Sequence, residues 1–454
     1  MQKIFQLLAY QHLAGMILSM KPIVFLILCI SVAAAPSQKA VRDRVNKELP
    51  SLLKLYQYLH ANPEISFQEA KTGQRLGAEL KTLGFAITQN VGGHGVVCVL
   101  KNGKGPTVLV RTDTDALPVK EATGLPFAST RTTTDDQGKT VPAMHACAHD
   151  VHMTCWTGTA RVLTDLKSQW SGTLVFIGQP AEERGAGAKA MLADGLFKKF
   201  PVPDYCLALH VSSDQPAGTL GFTSGYAMAN VDSVDITVRG VGGHGSQPQS
   251  AKDPIVLAAQ IVLALQTIVS REIHPLDPAV VTVGSIHGGT KHNIIPDDVH
   301  LQLTLRSYSD EVREKLIASI RRIVKGQALA AGLKEDRFPI VNVKDEFTPA
   351  AYNDPKLVER INGVFGQWFG KGVMIERKPT MGGEDFGRYG RTEHKIPIYM
   401  FRLGGVSPAV MKRSRALGQP LPSLHSAKFA PDTDCIKTGI TAMTAAVLEL
   451  VGKK

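Results

Sequence analysis

The chain of 454 residues has only six cysteines, and their spacing suggests no disulfide scaffold. Buried free thiols are the plain reading for most of them. The formal charge is +11, yet there is no Arg-rich arm and no basic patch interleaved with aromatics. Apart from Lys412-Arg413-Ser414-Arg415 the basic residues are scattered, which reads as a solvated surface and not a nucleic-acid site. No internal repeat or low-complexity tract occurs. Gly103-Lys104-Gly105-Pro106 lacks the spacing of a phosphate loop, and Gly92-Gly93-His94-Gly95 is no dinucleotide fingerprint. Gly221-Phe222-Thr223-Ser224-Gly225 has its serine in the wrong place for a nucleophile elbow, and no His-Glu-x-x-His pair is present. The apolar run Pro22–Ala35 follows Lys21, is short for a membrane span, and ends in Ser31-Val32-Ala33-Ala34-Ala35. It reads as a secretory signal peptide over residues 1–35. The expectation is an extracytoplasmic protein, periplasmic or secreted, with no stable membrane span in the mature chain. An uncleaved segment would instead anchor it to the membrane.

What the chain does have is concentrated in two short stretches. Met144-His145-Ala146-Cys147-Ala148-His149-Asp150-Val151-His152 packs a thiol, imidazoles and a carboxylate together. Gln179-Pro180-Ala181-Glu182-Glu183 follows. Thiolate, imidazole and carboxylate ligands suit zinc, and also manganese or nickel. Cys147 and His149, two apart on a loop, can both point at one ion, with His145 and His152 as alternatives. Neighbouring glutamates diverge in direction, so one of Glu182 and Glu183 can bind metal while the other moves protons. Gly185 and Gly187 permit a tight turn there. His210 and His425 are further candidates; Asp113 and Asp115 can orient ligands or cap a turn. These features point to a metal-dependent hydrolase.

Hydrophobic patterning gives an α/β fold. Helices are expected over 41–60, 69–83, 152–167 and 186–198. Strand-like runs begin at Val96, Thr107, Gly172 and Tyr205, the last ending at His210. Four runs that end in or lead into polar chemistry argue for one crevice at the carboxyl edge of a sheet. Near Tyr226 the pattern changes to β-α-β-β-α-β, as in a compact inserted domain. The division expected is a catalytic domain over 40–226 and 344–454, with the insertion over 227–343.

Taken in order, these motifs resemble the metallo-aminoacylase and carboxypeptidase superfamily, in its amidohydrolase branch of hippurate hydrolases and plant auxin-conjugate (IAA-amino acid) hydrolases. The resemblance runs through His60-Ala61-Asn62-Pro63-Glu64, Arg111-Thr112-Asp113-Thr114-Asp115-Ala116-Leu117-Pro118 and Thr123-Gly124-Leu125-Pro126-Phe127. It continues through the Cys/His and Glu-Glu motifs, Asn293-Ile294-Ile295-Pro296, Met381-Gly382-Gly383-Glu384-Asp385-Phe386 and Leu424-His425-Ser426. It implies a two-domain metallohydrolase with a mixed-sheet α/β catalytic domain and an inserted lid or dimerisation domain. It implies two divalent ions, zinc or manganese first and nickel next, on Cys147, His149, Glu183, His210 and His425. Glu182 would be the general base, with Asp113 in the catalytic set. His244 would help stabilise the oxyanion, reached by domain closure or from a partner subunit of a homodimer or higher homo-oligomer. Asn293 and Arg306 would hold the substrate carboxylate. The activity implied is hydrolysis of N-acyl amino acids. The alternatives are a metallodipeptidase or carboxypeptidase and, further off, a catalytically silent metal-stabilised binding protein.

Four positions depart from the family pattern: Ala148, Gln249, Leu303-Thr304-Leu305-Arg306 and Ala427, where glycine, histidine, Gly-Thr-x-Arg and proline are usual. Alanine at 148 is acceptable if the backbone φ there is negative.

Overall fold

The computed structural model describes residues 38–453, so the signal-peptide reading of 1–35 lies outside the described residues. The spine of the fold is an eight-stranded mixed sheet. Its first six strands are β1 (Ala86–Val91), β2 (Gly95–Asn102), β3 (Thr107–Asp113), β4 (Gly172–Gln179), β5 (Tyr205–Pro216) and β6 (Leu220–Phe222). The chain then builds a separate four-stranded sheet from β7 (Asn230–Arg239), β8 (Ala279–Gly288), β9 (Asp298–Ser307) and β10 (Ile340–Val343). It returns to the first sheet with β11 (Met374–Glu376) and β12 (Ile398–Val406). The large sheet has the order β1-β2-β4-β3-β5-β12-β6-β11, and the small one β8-β9-β7-β10.

Alternation along the large sheet feeds two cores. Val96, Cys98, Val108, Val110, Leu174, Phe176, Leu207 and Leu209 pack on one face. There they meet helices α1 (Gln38–Ala61), α2 (Ala70–Lys81) and α3 (His149–Asp165). Val97, Leu109, Val175, Ile177, Cys206 and Ala208 face the other way, towards Met191, Phe386 and Tyr389. The inserted unit has its own core. Val234, Ile236 and Val238 alternate along β7 and meet Leu301, Leu303 and Leu305 of β9. Helices α4 (Pro254–Thr267) and α5 (Asp310–Ala330) supply Leu257, Ile261, Leu316 and Ile320. Asp253 caps α4 by accepting from Ile255 N, with Pro254 in the first turn, and Ser309 caps α5 by accepting from Val312 N. Pro254–Glu272 is long and apolar enough to cross a membrane by length and composition, with mean hydropathy 1.6. Its inward residues nonetheless form part of this core. Helices α6 (Pro355–Phe369) and α7 (Asp434–Val451) close the first domain. The β-α-β-β-α-β insertion on a mixed α/β domain is thus present as read from the sequence.

Several expectations need correction. The strand from Tyr205 does not end at His210 but runs on to Pro216. Residues 186–198 are not one helix: Gly195, at φ 87, separates Gly187–Ala193 from Leu196–Lys199. The Val96 run lies antiparallel to β4, so its end points away from the crevice. Its place is taken by β12, parallel to β5, while β3 is parallel to both β4 and β5. The last β3–β5 pair is Arg111 with Ala208. Beyond it β5 loses that neighbour, and His210 stands at the opening so formed.

One buried ion cluster ties the helical layer together. His60, in the last turn of α1, places Nδ1 2.6 Å from Asp150 Oδ2 in the first turn of α3. Its Nε2 is 2.9 Å from Glu121 Oε1. Each helix end favours the charge it holds. Burial, the largest influence on His60, disfavours its cation, but Asp150 and Glu121 outweigh it and raise the pKa to about 9. Because the folded value lies above the ordinary one, this stabilisation is complete below pH about 6.5 and lost as pH rises through about 9. Its size is on the order of 3 kcal/mol. Urea titrations of wild type should therefore lose stability between pH 6.5 and 9.5, and His60→Gln should flatten that slope. An unchanged slope would remove His60 as its source.

Candidate metal centre

Three turns with unusual backbone bring the ligand types together. Ala148 is left-handed, at φ 63 and ψ 31, against the negative φ expected for an alanine here. This kink starts α3 at His149 instead of 152 and turns Cys147 and His149 to the same side as β5. Ala181 has φ 49, and Gly185 N donates to Glu182 O at 2.7 Å in the next turn. Gly185 needs its φ of 60, and a Cβ on Gly187 would lie 1.5 Å from Pro180 O, so both glycines are required by the turn. His425 has φ 67, and its N–H donates to Ala146 O at 2.9 Å. The described chain has six non-glycine residues at positive φ, and three of them sit in these turns.

The five predicted ligands meet. Cys147 Sγ is 3.6 Å from His210 Nε2. His149 Nε2 is 3.7 Å from Glu183 Oε1, and His425 Nε2 is 3.4 Å from Glu183 Oε2. Cys147, His149 and His210 form one group able to hold a metal; Cys147, Glu183 and His425 form another, sharing the thiol. The imidazoles are oriented from behind. His149 Nδ1 donates to Asp115 O at 2.7 Å, and His210 Nδ1 donates to Val211 O at 2.7 Å. A carbonyl can only accept, so each Nδ1 carries a proton and each Nε2 faces the centre. Asp115 Oδ2 also accepts from Glu183 N at 3.0 Å, so one aspartate positions two of the predicted ligands. His149 Nε2 and Glu183 Oε1 are buried without any hydrogen-bond partner. Such atoms facing one another fit a cation between them.

The electrostatics agree. Glu182 is pushed well above the usual carboxylate range by burial, then by Glu384 and Glu183. Burial raises Glu183 to about 7 against the pull of His149. The Cys147 thiol is raised by burial and then by Glu183. Negative charge packed this tightly demands protons or metal cations.

The other two candidates in the Cys/His stretch are not free to ligate, or lie apart. His152 Nδ1 pairs with Asp113 Oδ1 at 2.8 Å, and its Nε2 accepts from Val211 N at 2.8 Å, so both nitrogens are used. It therefore braces the site despite lying close to His149 and Asp113. His145 is buried with neither nitrogen hydrogen-bonded, and burial lowers it to about 4. Asp113 also takes Arg111 Nη1 at 2.8 Å, and its Oδ2 is 3.6 Å from His149 Nε2.

A cleft of about 860 Å³ opens over the centre. Its walls include Cys147, Glu182, Glu183, His210 and His425 from the large domain and Arg306 from the inserted sheet. His244 and Asn293 are not brought to it. Both are exposed: His244 lies on the short ladder that pairs Gly243–His244 with Ile294–Ile295, and Asn293 immediately precedes it. Sequence reasoning gave no role to Arg111, Glu384, Asp385 or Arg402. Glu384 and Asp385 stood in a quoted motif, but nothing in their spacing showed that they reach Glu182.

A family model described as peptidase family M20/M25/M40 matches residues 109–449. The chain belongs to this family. It is similar to thermostable carboxypeptidase 2 of Saccharolobus solfataricus, with 34% identity over 88% of this chain and 96% of that protein. It is also similar to the hippurate hydrolase of Campylobacter jejuni, with 37% identity over 77% of this chain and 86% of that one. Among solved structures, the Bacillus subtilis YXEP protein, described as a dinuclear metal binding peptidase from the M20 family, superposes with TM-score 0.71 at 28% identity. That match covers 89% of this chain and 100% of that one. The donor clusters and the family together make this protein a metal-dependent amidohydrolase.

If the turn after Glu183 places that ligand, Gly187→Ala should weaken zinc binding by about tenfold or more with the far-ultraviolet spectrum preserved. Competition with a chromophoric chelator measures this, and equal affinity would show that the turn does not set Glu183.

Proposed function

We propose that the protein hydrolyses the amide bond of N-acyl amino acids, releasing a carboxylic acid and a free amino acid. The observation that carries this is Glu182. Its Oε2 lies 3.9 Å from His149 Nε2, at the edge of the ligand cluster, on the wall of a cleft that also contains Arg306. Both adjacent glutamates reach His149 Nε2, and what separates them is their second neighbour: Glu183 faces His425, whereas Glu182 lies beside Glu384 and Asp385. Cys147, His149, Glu183, His210 and His425 would hold two divalent ions, zinc or manganese ahead of nickel. Ions there would acidify water and polarise the scissile carbonyl.

Glu182 then accepts a proton from the attacking water and delivers it to the leaving amine. Its raised affinity for a proton, caused by burial and by Glu384, suits a group that must hold the proton between those two steps. Asp113 and Asp115 keep His149 aligned. Arg306 presents Nη2 to the substrate carboxylate, because its Nε donates to Met381 O at 3.0 Å and its Nη1 to Leu305 O at 2.9 Å and to Thr304 Oγ1. By the family resemblance, Asn293 would share that carboxylate and His244 the oxyanion. Both would have to arrive by domain closure or from a second copy of the chain. Relatives named hippurate hydrolase and N-acetyldiaminopimelate deacetylase support an acylated amino acid as substrate. Relatives named thermostable carboxypeptidase favour a peptide as the second reading.

Glu182→Gln should retain the metal content of wild type while losing turnover by about two or more orders of magnitude. Elemental analysis and steady-state rates on hippurate check this, and near-normal turnover would refute Glu182 as the base. Faster cleavage of a free dipeptide than of hippurate or N-acetyl amino acids would install the peptidase reading instead.

A further inference from the structure

The cleft holds more positive charge than one carboxylate requires. Arg184, Arg306, Arg377, Lys378 and Arg402 all line it. Arg184 is paired with Asp136, and Arg377 with Asp214. Among the described residues Arg306, Lys378 and Arg402 form no ion pair with a protein carboxylate. Arg306 reaches the cleft from β9 of the inserted sheet and is the guanidinium proposed for the substrate's α-carboxylate. Arg402 is separate in origin. It lies on β12 of the large sheet, in register with His210 on the parallel strand β5.

The surroundings of Arg402 are poor for a guanidinium. Among the described residues its one hydrogen-bond acceptor is the Met228 thioether, 2.8 Å from Nη2. A thioether sulfur is a weak acceptor, and it sits on a flexible side chain that yields easily to a better partner. Arg402 is largely withdrawn from water, and burial holds its pKa below the usual arginine value. A largely buried cation without a fixed counter-charge is costly unless something else supplies the charge. The acids around it form their ion pairs elsewhere: Asp214 with Arg377, and Glu384 with Arg111 through Oε1 at 2.9 Å, while Glu384 Oε2 has no hydrogen-bond partner among the described residues. Met228, Thr380 and Gly382 line the same cleft, so the guanidinium stands on the wall where a ligand lies.

We propose that Arg402 is a specificity-determining residue that binds a second carboxylate of the substrate, beside the metal centre and apart from the α-carboxylate held by Arg306. The substrate class is then a dicarboxylic N-acyl amino acid. The second carboxylate belongs either to the side chain of an acidic amino acid or to the far end of a dicarboxylic acyl group. Both present the same planar oxygen pair to a guanidinium fork. Lys378, next to Arg377 on the same wall, adds longer-range attraction for a doubly anionic ligand. This inference rests on the amidohydrolase reading above but concerns only which amides are chosen.

The test uses isosteric pairs on the metal-reconstituted full chain. One arm compares N-acetyl-L-glutamate with N-acetyl-L-glutamine. The other compares N-succinyl-L-alanine with N-butanoyl-L-alanine. In at least one arm the acid should be preferred by about tenfold or more in kcat/KM, as expected for a charge-assisted hydrogen bond. Arg402→Met should reduce that ratio to within about twofold, and Arg402→Lys should restore part of it. The arm that responds identifies which end of the substrate carries the group. No acid preference in either arm of wild type overturns the proposal, as does an Arg402→Met variant that keeps the ratio. A direct readout covers variants that fold poorly and the case in which all four amides resist hydrolysis. Calorimetric titration of wild type should show glutarate binding about tenfold or more tighter than butyrate at low salt. Equal affinities would overturn the subsite. Failure of all four amides with dipeptides still cleaved would defeat the amidohydrolase reading, while Arg402 would be judged on its own by repeating the glutarate titration on Arg402→Met, where the preference over butyrate should fall to within about twofold and an unchanged preference would overturn the subsite.

Discussion

The arrangement depends first on one buried guanidinium. Arg111 has no exposed side-chain surface, and three carboxylates close on it: Asp113, Glu384 and Asp385. Its Nε also reaches Gln179 Oε1 at 3.1 Å, and Gln179 Nε2 donates to Asp385 Oδ1 at 2.7 Å. This knot joins β3, the end of β4 and the loop before Tyr389. Without the cation, three carboxylates would sit together inside the protein, and burial of even one uncompensated charge costs several kcal/mol. With it, Asp113 is fixed to brace His152 and face His149, and Glu384 is fixed beside Glu182.

The residues proposed as ligands are therefore held by partners which are themselves held. Asp115 orients His149 and Glu183. His152 is pinned between Asp113 and the backbone of β5, next to His210. Glu69 accepts from Ala181 N at 2.8 Å and so steadies the turn before the paired glutamates. Few side chains of this centre have rotameric freedom left to surrender when an ion or a substrate arrives, which is what preorganisation means in energetic terms.

The ligand types and the general architecture were legible because they depend on local pattern. Period-two alternation in Val231–Arg239 shows one face of a sheet, and Asp253-Pro254 marks a helix start. What escaped depends on distant neighbours. Spacing alone could not choose among His145, Cys147, His149 and His152, because the choice turns on the left-handed Ala148 and on whether Val211 N occupies His152. The strand Ile398–Val406 went unread because Arg402, Gly404 and Gly405 interrupt its apolar run. Those interruptions have tertiary causes. Arg402 faces the cleft, and a Cβ at Gly404 would lie 1.9 Å from Pro216 O. Arg111 carried no mark of its role, since its partners at 384 and 385 lie more than half the chain away.

The late position of that strand has a consequence for how the chain is made. β12 lies in the middle of the sheet, between β5 and β6, yet it follows every other strand of that sheet in the chain. Until it arrives, β5 keeps one edge unpaired, and an open strand edge invites pairing with the wrong chain. The inserted unit has a core and a sheet of its own and does not have to wait. The molecule would thus consolidate from its middle outward, with a closed module forming first and the enzyme around it sealed only once β12 has been made.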